Sequence, residues 1–493
     1  METDVSTITQ SDLFTKYSVT NNTFDEVFKP DSPANRFYTK LLTSIGSFSK
    51  HEFAILNEYA KKCFLSQGIT FSTYSNNAKG TERIFPFDLF PRIIANSEWV
   101  NLEKGLIQRN RAINLFIHDL YHDCKILKDK IVPSELIYSC ANYNRYMKEI
   151  NVSGGIYNHI SGTDIIKHSD GNYYVLEDNV RCPSGVSYVL ANREAMKKTI
   201  SNVFSDFNVS PVSDYPEALL QLMHTLSPGN IDNPICALLT PGVYNSAYYE
   251  HAFIAQSMGI ELVEGRDLFT DNDFVYMRTV YGPKKIDVLY RRVDDEFIDP
   301  LVYRSDSLLG IPGLMSAYRN GNITLINAVG AGIADDKAIY VYIPQIIKYY
   351  LGEEAILSNV PTYRCDVESD MKYVLENMSS LVIKPVDQSG GYGIIIGSQA
   401  TKEELSLQRD KIKANPRGYV AQPIMNLSVH STFIEQDNEF QPRHIDLRTF
   451  TLLSPNKEYV LKGGLSRVAL KKGSLIVNSS QGGGSKDTWV MGE

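Results

Sequence analysis

The hairpin between residues 162 and 185 constrains this chain more than any other stretch. Thr163-Asp164-Ile165-Ile166 reads as one strand, and Val175-Leu176 opens a second that runs into Glu177-Asp178-Asn179-Val180-Arg181 and closes on Pro183-Ser184-Gly185. Side chains alternate along a strand, so Glu177 and Asn179 share one face and Asp178 takes the other. Asp164 adds a second carboxylate from the neighbouring strand. Such hard oxygen donors suit magnesium, which takes one or two protein carboxylates and leaves its remaining positions to phosphates and water. The same residues suit a half-buried hairpin with a polar edge, so the rest of the chain must separate the two readings.

A second constraint lies more than two hundred residues later. Leu381-Val382-Ile383-Lys384-Pro385-Val386 reads as a buried strand that delivers a lysine directly into the loop Asp387-Gln388-Ser389-Gly390-Gly391-Tyr392-Gly393. Glycines let backbone amides approach phosphate oxygens, and an ammonium neutralises their charge. In an ordinary hairpin a lysine on such a strand lacks a partner, at a cost. No Gly-Lys-Ser/Thr follows, and the loop leads into Ile394-Ile395-Ile396 rather than a helix, so it is neither a Walker loop nor a dinucleotide fingerprint. Lys337, after Ala334-Asp335-Asp336 and at the head of a helix, is a second candidate for phosphate contact.

Length and charge limit the alternatives. At 493 residues the chain exceeds one ordinary hydrophobic core. A net charge of -8 lacks the concentrated basic face of a nucleic-acid binder. No apolar run reaches membrane-spanning length, and Met1-Glu2-Thr3-Asp4 does not open like a signal peptide, so a cytoplasmic location away from membranes is expected. The six cysteines form no CxxC pair and suggest neither disulfides nor zinc. His118 and His122 share a helix face, but no third metal ligand is evident and a solvated face is expected.

Residues 1 to about 35 read as a loose lead-in, and the pattern to about 150 is mainly helical, as in Leu102, Leu106, Ile113 and Phe116. From Pro234 the order is strand, helix, strand, which predicts a parallel sheet with ligands beyond the carboxyl ends of its strands. Asn245 lies beyond the first such end, and Arg291, Arg292 and Asp294 beyond a later one. Paired guanidiniums beside carboxylates suit an acidic or zwitterionic substrate, and equally a structural salt-bridge network.

Asp, a hairpin, then Glu-x-Asn and a Pro/Ser/Gly turn resembles the magnesium motif of the ATP-grasp ligases. Three further segments extend the resemblance: Tyr419-Val420-Ala421-Gln422-Pro423-Ile424, Ile445-Asp446-Leu447-Arg448, and Gly464-Leu465-Ser466-Arg467 with Val477-Asn478 and Gly482-Gly483-Gly484. In ordinary ATP-grasp chains the covering loop comes first and Asp...Glu-x-Asn last. Here the metal motif lies near residue 170 and the loop near 390, so the whole chain resembles the bacterial circularly permuted ATP-grasp family. Permutation of this kind is tolerated where original ends lie close together at the surface.

The resemblance implies an α/β fold with α+β lobes. Residues 1–150 form a mainly helical N-terminal region, 151–215 the magnesium-binding part, and 216–335 a Rossmann-like pre-ATP-grasp domain. Residues 336–421 form the subdomain with the covering loop, and 422–493 complete 151–215. It implies ATP and Mg2+, with Asp164, Glu177 and Asn179 on the metal. Nucleotide contacts fall to Lys337, Lys384, Asp387, Ser389, Gly390, Gly391, Tyr392, Gly393, the adenine hinge Ala421, Gln422, Pro423 and Ile424, then Arg448 and Asn478. Catalysis falls to Arg467 and Lys384. Arg181, Ser184, Gly185 and Gly483 join Asn245, Arg291, Arg292 and Asp294 on the substrate side. The implied reaction joins a small-molecule or peptide carboxylate to an amine through an acyl phosphate, releasing ADP and phosphate. A non-catalytic ATP-binding scaffold and a kinase-like phosphotransferase are the alternatives, and self-association into a homo-oligomer is left open.

Overall fold

The structure is a computed structural model that describes residues 11–18, 23–29, 31–73, 81–388, 390–475, 477 and 482–492. Ser389 and Asn478 lie outside the described residues. The architecture is mixed α/β with several sheets. The largest sheet runs in the order Ser358–Asn359, Tyr173–Asn179, Ile160–Lys167, Glu439–Leu453, Leu465–Val468, Gly484–Val490, Phe87–Ile94, with Val429–Ile434 and Glu458–Val460 also paired to the long Glu439–Leu453 strand. Early and late segments therefore share one sheet. Asp164 stands opposite both Glu177 and Arg448, and Asp446 stands opposite Arg467.

The Asn96–Tyr121 helix lies against this sheet with Leu102, Leu106, Ile113 and Phe116 buried, as their spacing predicts. From it, buried Arg109 forks onto Asp178 (Nε–Oδ1 2.8 Å, Nη2–Oδ2 2.7 Å) and reaches Asn359 (2.8 Å). Asp178 thus points away from Glu177 and Asn179, and its charge is neutralised on the far side of the sheet. Strand Phe87–Ile94 pairs in parallel with Gly484–Val490, so part of the N-terminal 150 residues is built into the sheet rather than set apart from it.

The lead-in also differs from a loose segment. Glu26 is buried, receives the Arg92 fork (2.8 and 2.6 Å) and accepts from Ser428 Oγ. Its amide donates to Val429 (3.0 Å). A charge this deep persists only when paired, so the Arg92 contact fixes the segment onto the sheet. Breaker residues on either side concealed that anchor in the sequence.

A second, four-stranded sheet runs Tyr363–Arg364, Tyr419–Pro423, Leu381–Pro385, Ile395–Ile396, all antiparallel. Val374, Met378, Leu381, Ile383 and Ile412 form its core with helices Glu368–Asn377 and Lys402–Ala414. The latter helix opens on a reciprocal cap in which Thr401 accepts from Glu404 N and Glu404 accepts from Thr401 N. Thr401→Ala should lower stability by about 1 kcal/mol, read as a lower urea midpoint, with the large sheet unaffected. A third sheet, ordered Thr324–Ile326, Val288–Arg291, Cys236–Leu239, Glu261–Val263, is parallel throughout. Among the described residues no helix is long and apolar enough to cross a membrane.

Candidate functional site

The large sheet and the antiparallel lobe face each other across a cleft of about 900 Å3. Its polar floor is Asp164, Glu177, Asp446 and Arg467; Lys337 and Lys384 stand across it, and Gln388, Gly390, Gly391 and Tyr392 form the rim. Strand alternation explains the assembly. Asp164 with Ile166, and Val382 with Lys384, each place an apolar wall residue two positions from a polar one on the same face.

The floor is a buried charge array. Arg448 grips Asp164 with both nitrogens (Nε–Oδ1 2.6 Å, Nη2–Oδ2 2.8 Å). Arg467, 4% exposed, bridges Asp164 (Nη2–Oδ2 2.8 Å) and Asp446 (Nε–Oδ1 2.9 Å, Nη2–Oδ2 2.5 Å). Burial works to raise the Asp164 pKa, but the two guanidiniums outweigh it and hold this carboxyl well below the usual range. At Asp446 burial prevails over Arg467, and the pKa is raised.

Glu177 is less committed, with Lys337 Nζ at 3.6 Å and Arg448 Nη2 at 3.9 Å. Lys337 also donates to the Gln388 carbonyl (2.6 Å) and so tethers the glycine loop. Asp336 caps the short Lys337–Tyr340 helix by accepting from Ala338 N, and Asp335 accepts from Val180 N (2.6 Å). That pair of contacts joins the Glu-x-Asn strand to the helix carrying Lys337. Lys384 is 6% exposed, and among the described residues its ammonium forms no ion pair. Burial brings its pKa down to about 8, with Glu177 opposing and Lys337 reinforcing the shift.

These donors fit magnesium. A carboxylate offers about four lone pairs, and the arginines take three contacts on Asp164, which leaves one position on Oδ1. Asn179 spends its amide nitrogen on the Gly162 carbonyl (3.2 Å) and keeps its oxygen as acceptor, beside Glu177. No cluster of three or more His, Cys, Asp or Glu side chains capable of holding a metal occurs among the described residues.

Other expected residues sit at varying distances from the floor. Gln422 and Pro423 line the cleft; Ala421 is buried behind them, and Gln422 donates to Thr362 (3.0 Å). Ile424 donates its amide to Ser380 (3.4 Å). Gly393 has φ +70°, and a Cβ there would come within 2.9 Å of Pro385. Ser184 hands its carbonyl to Arg448 (3.3 Å) and its hydroxyl to Arg292, and the Gly185 amide donates to Glu250 (2.5 Å). Gly483 is buried at the head of Gly484–Val490. Arg291 is fully buried on the carbonyls of Asn327, Val293 and Ala328 and on Asp295. Arg292 is spent on Pro183, Tyr290 and Glu250. Asn245 accepts from Ala247 N (2.9 Å) ahead of the Tyr248–Met258 helix. Arg181 and Asp294 pair at 3.4 Å in a neighbouring cleft that also includes Asp387. His118 and His122 stack at 4.2 Å at the C-terminal end of the Asn96–Tyr121 helix, with His122 just beyond its last turn.

Sequence reasoning missed the apolar walls Ile166, Leu176, Val382, Ile394, Ile396, Met425 and Leu427, and the role of Asp446 as the second partner of Arg467. Period-two spacing from Asp164 and Lys384 was the available signal for Ile166 and Val382; the others depend on how the lobes meet.

The family model described as circularly permuted ATP-grasp type 2 matches residues 91–469. An uncharacterised protein of Synechocystis is 47% identical over 470 residues, covering 95% of this chain and 97% of its own length. A putative glutamate–cysteine ligase of Frankia casuarinae is 38% identical over 426 residues, 86% of this chain and 48% of that longer protein. Among solved structures, a glutathione synthetase-like effector from Globodera pallida superposes with a TM-score of 0.57 at 12% identity, over 90% of this chain and 98% of that one, a likeness of fold.

Proposed function

The chain belongs to the circularly permuted ATP-grasp type 2 family, and on that premise we propose that it is an ATP- and magnesium-dependent carboxylate–amine ligase. The observation that carries this reading is a buried Lys384, without an ion pair among the described residues, facing Glu177 across one cleft. An isolated ammonium in that position is costly unless an anion arrives to meet it.

In this reading the adenine lies between the hinge residues Ala421 to Ile424 and the apolar walls. Lys337 and Lys384 hold phosphate oxygens under the 387–393 loop, which excludes water. Asp164, Glu177 and Asn179 would hold the metal, which would supply charge neutralisation at the phosphates. A substrate carboxylate oxygen attacks the γ-phosphorus and ADP leaves; the amine then attacks the acyl carbon, forming C–N, and phosphate departs as the nitrogen loses its proton. Arg467 steadies the negative charge on the phosphoryl group in transfer. Arg448 positions Asp164. The parallel sheet takes the place of the Rossmann-like pre-ATP-grasp domain, and Arg291 and Arg292 brace it.

The test is to incubate the protein with ATP, Mg2+, pooled amino and dicarboxylic acids and hydroxylamine. ADP and a hydroxamate are expected, because hydroxylamine captures acyl phosphates. Release of AMP, or a phosphorylated product that hydroxylamine leaves intact, would overturn the mechanism. Glu177→Gln is expected to lower kcat by about 10^2 and raise the Mg2+ concentration needed for half-maximal rate.

A further inference from the structure

A second cleft, of about 1420 Å3, adjoins the first. Its walls come from residues 138–146, residues 294–303, Arg181 and Asp387. Two of these continue the reacting strands: Arg181 lies two residues past Asn179, and Asp387 three past Lys384. Asp387 faces this cleft while Gln388 faces the nucleotide cleft, so the loop over the phosphates is the partition between them.

The balance of charge differs across that partition. The nucleotide side is balanced, with Lys337, Lys384 and Arg467 against Asp164, Glu177 and Asp446. The second cleft carries four carboxylates, Asp294, Asp295, Glu296 and Asp387, against two guanidiniums, Arg145 and Arg181, a balance of -2. Asp295 is committed to Arg291 (2.7 Å) and to the Gly330 amide (2.7 Å), and Asp294 faces Arg181. Glu296 and Asp387 are exposed, and among the described residues neither forms an ion pair. Tyr143, Tyr146 and Tyr303 complete the lining, and Tyr303 is oriented by the amide of buried Asn144 (2.8 Å). Open carboxylates beside aromatic rings favour a cation that can lie against a π-face and donate hydrogen bonds, and the room suits an amino acid or short peptide.

We propose that this cleft holds the amine co-substrate, a primary ammonium compound, next to the acyl group formed on the other side of the loop. The inference rests on the ligase reading. The ammonium gives up one proton to solvent before attack and a second after it; C–N forms as the bond from the acyl carbon to the phosphate oxygen breaks, and phosphate leaves.

The experiment compares wild type with Glu296→Gln and Glu296→Lys, both surface changes whose folding is checked by thermal melts. ADP release is followed with L-alanine, glycinamide or putrescine as acceptor, and separately with hydroxylamine. The KM for the best of the three amines is expected to rise at least tenfold in Glu296→Gln and further in Glu296→Lys, with the KM for ATP changing less than twofold. The ranking of the three probes tells an amino acid from a diamine. If hydroxylamine supports turnover but amine KM is the same in all three proteins, the assignment of this cleft is wrong while the ligase reading stands. If no arm releases ADP, hydroxylamine included, the ligase reading fails and this inference falls with it.

Discussion

Arg467→Ala should yield a protein that releases ADP far more slowly and that is less stable by about 3–5 kcal/mol at pH 7. The guanidinium is buried between Asp164 and Asp446 and donates to both. Without it, two carboxylates remain out of water with only Arg448 near the first. The cost depends on pH in a definite direction. In the wild type the lowered pKa of Asp164 contributes stability that is fully present above the ordinary carboxylate range and is lost only as pH falls through its folded value. In the variant Asp164 keeps Arg448, but Asp446, already raised by burial, loses the guanidinium that opposes that shift, so acid relieves its repulsion with Asp164 in the folded state. The stability gap should therefore be widest at neutral pH and narrow toward pH 5, as urea midpoints at the two pH values would show. For turnover, loss of a fixed guanidinium from the phosphoryl group is expected to cost about 10^3 in kcat. Arg467→Lys retains the charge but not the fork, so it should recover much of the stability and little of the rate. Undiminished ADP release by Arg467→Ala would remove this residue from the proposed mechanism.

What the sequence made legible follows the range of the interactions. Glu177 with Asn179, and Lys384 ahead of its glycines, were readable because alternation along one strand fixes which side chains share a face. Asp178 was placed on the opposite face for the same reason, but Arg109 as its partner was not foreseeable: the pair lies 69 residues apart and meets only when the Asn96–Tyr121 helix packs under the sheet. The junction of early hairpin and late Asp-x-Arg strand was inferred from the family resemblance and the unusual order of parts; in the structure Asp164 stands opposite Arg448. Arg291 and Arg292 show the converse. As sequence they offer a grip for an acidic ligand, yet the parallel sheet draws both inside and surrounds them with carbonyls and Glu250. Local pattern cannot tell a guanidinium that awaits a ligand from one that closes a buried network, because the difference lies in neighbours supplied by distant segments.

Lys384→Met should separate folding from function most sharply. Burial lowers the Lys384 pKa from 10.5 to about 8, so between those values the unfolded chain binds more protons than the folded one. The charged lysine thus opposes folding below about pH 8, and the opposition fades as pH rises toward 10.5. Methionine fills similar space without the charge. The variant is therefore expected to be more stable than wild type at pH 7, by on the order of 2–3 kcal/mol, with the two converging above pH 10.5. ATP affinity should move the other way and fall by about 100-fold, the loss of a charge-assisted contact to phosphate. The same lysine predicts a proton signature. Near pH 8 the empty site is only partly protonated, and phosphate oxygens would draw the missing fraction back. ATP binding should then take up protons, about half a proton per site at pH 8, and weaken as pH rises further. Calorimetric titration in two buffers of different ionisation enthalpy measures that uptake, and it should be absent in Lys384→Met. A variant that loses stability while binding ATP with unchanged affinity and proton uptake would make Lys384 a structural residue and leave the cleft without its phosphate anchor.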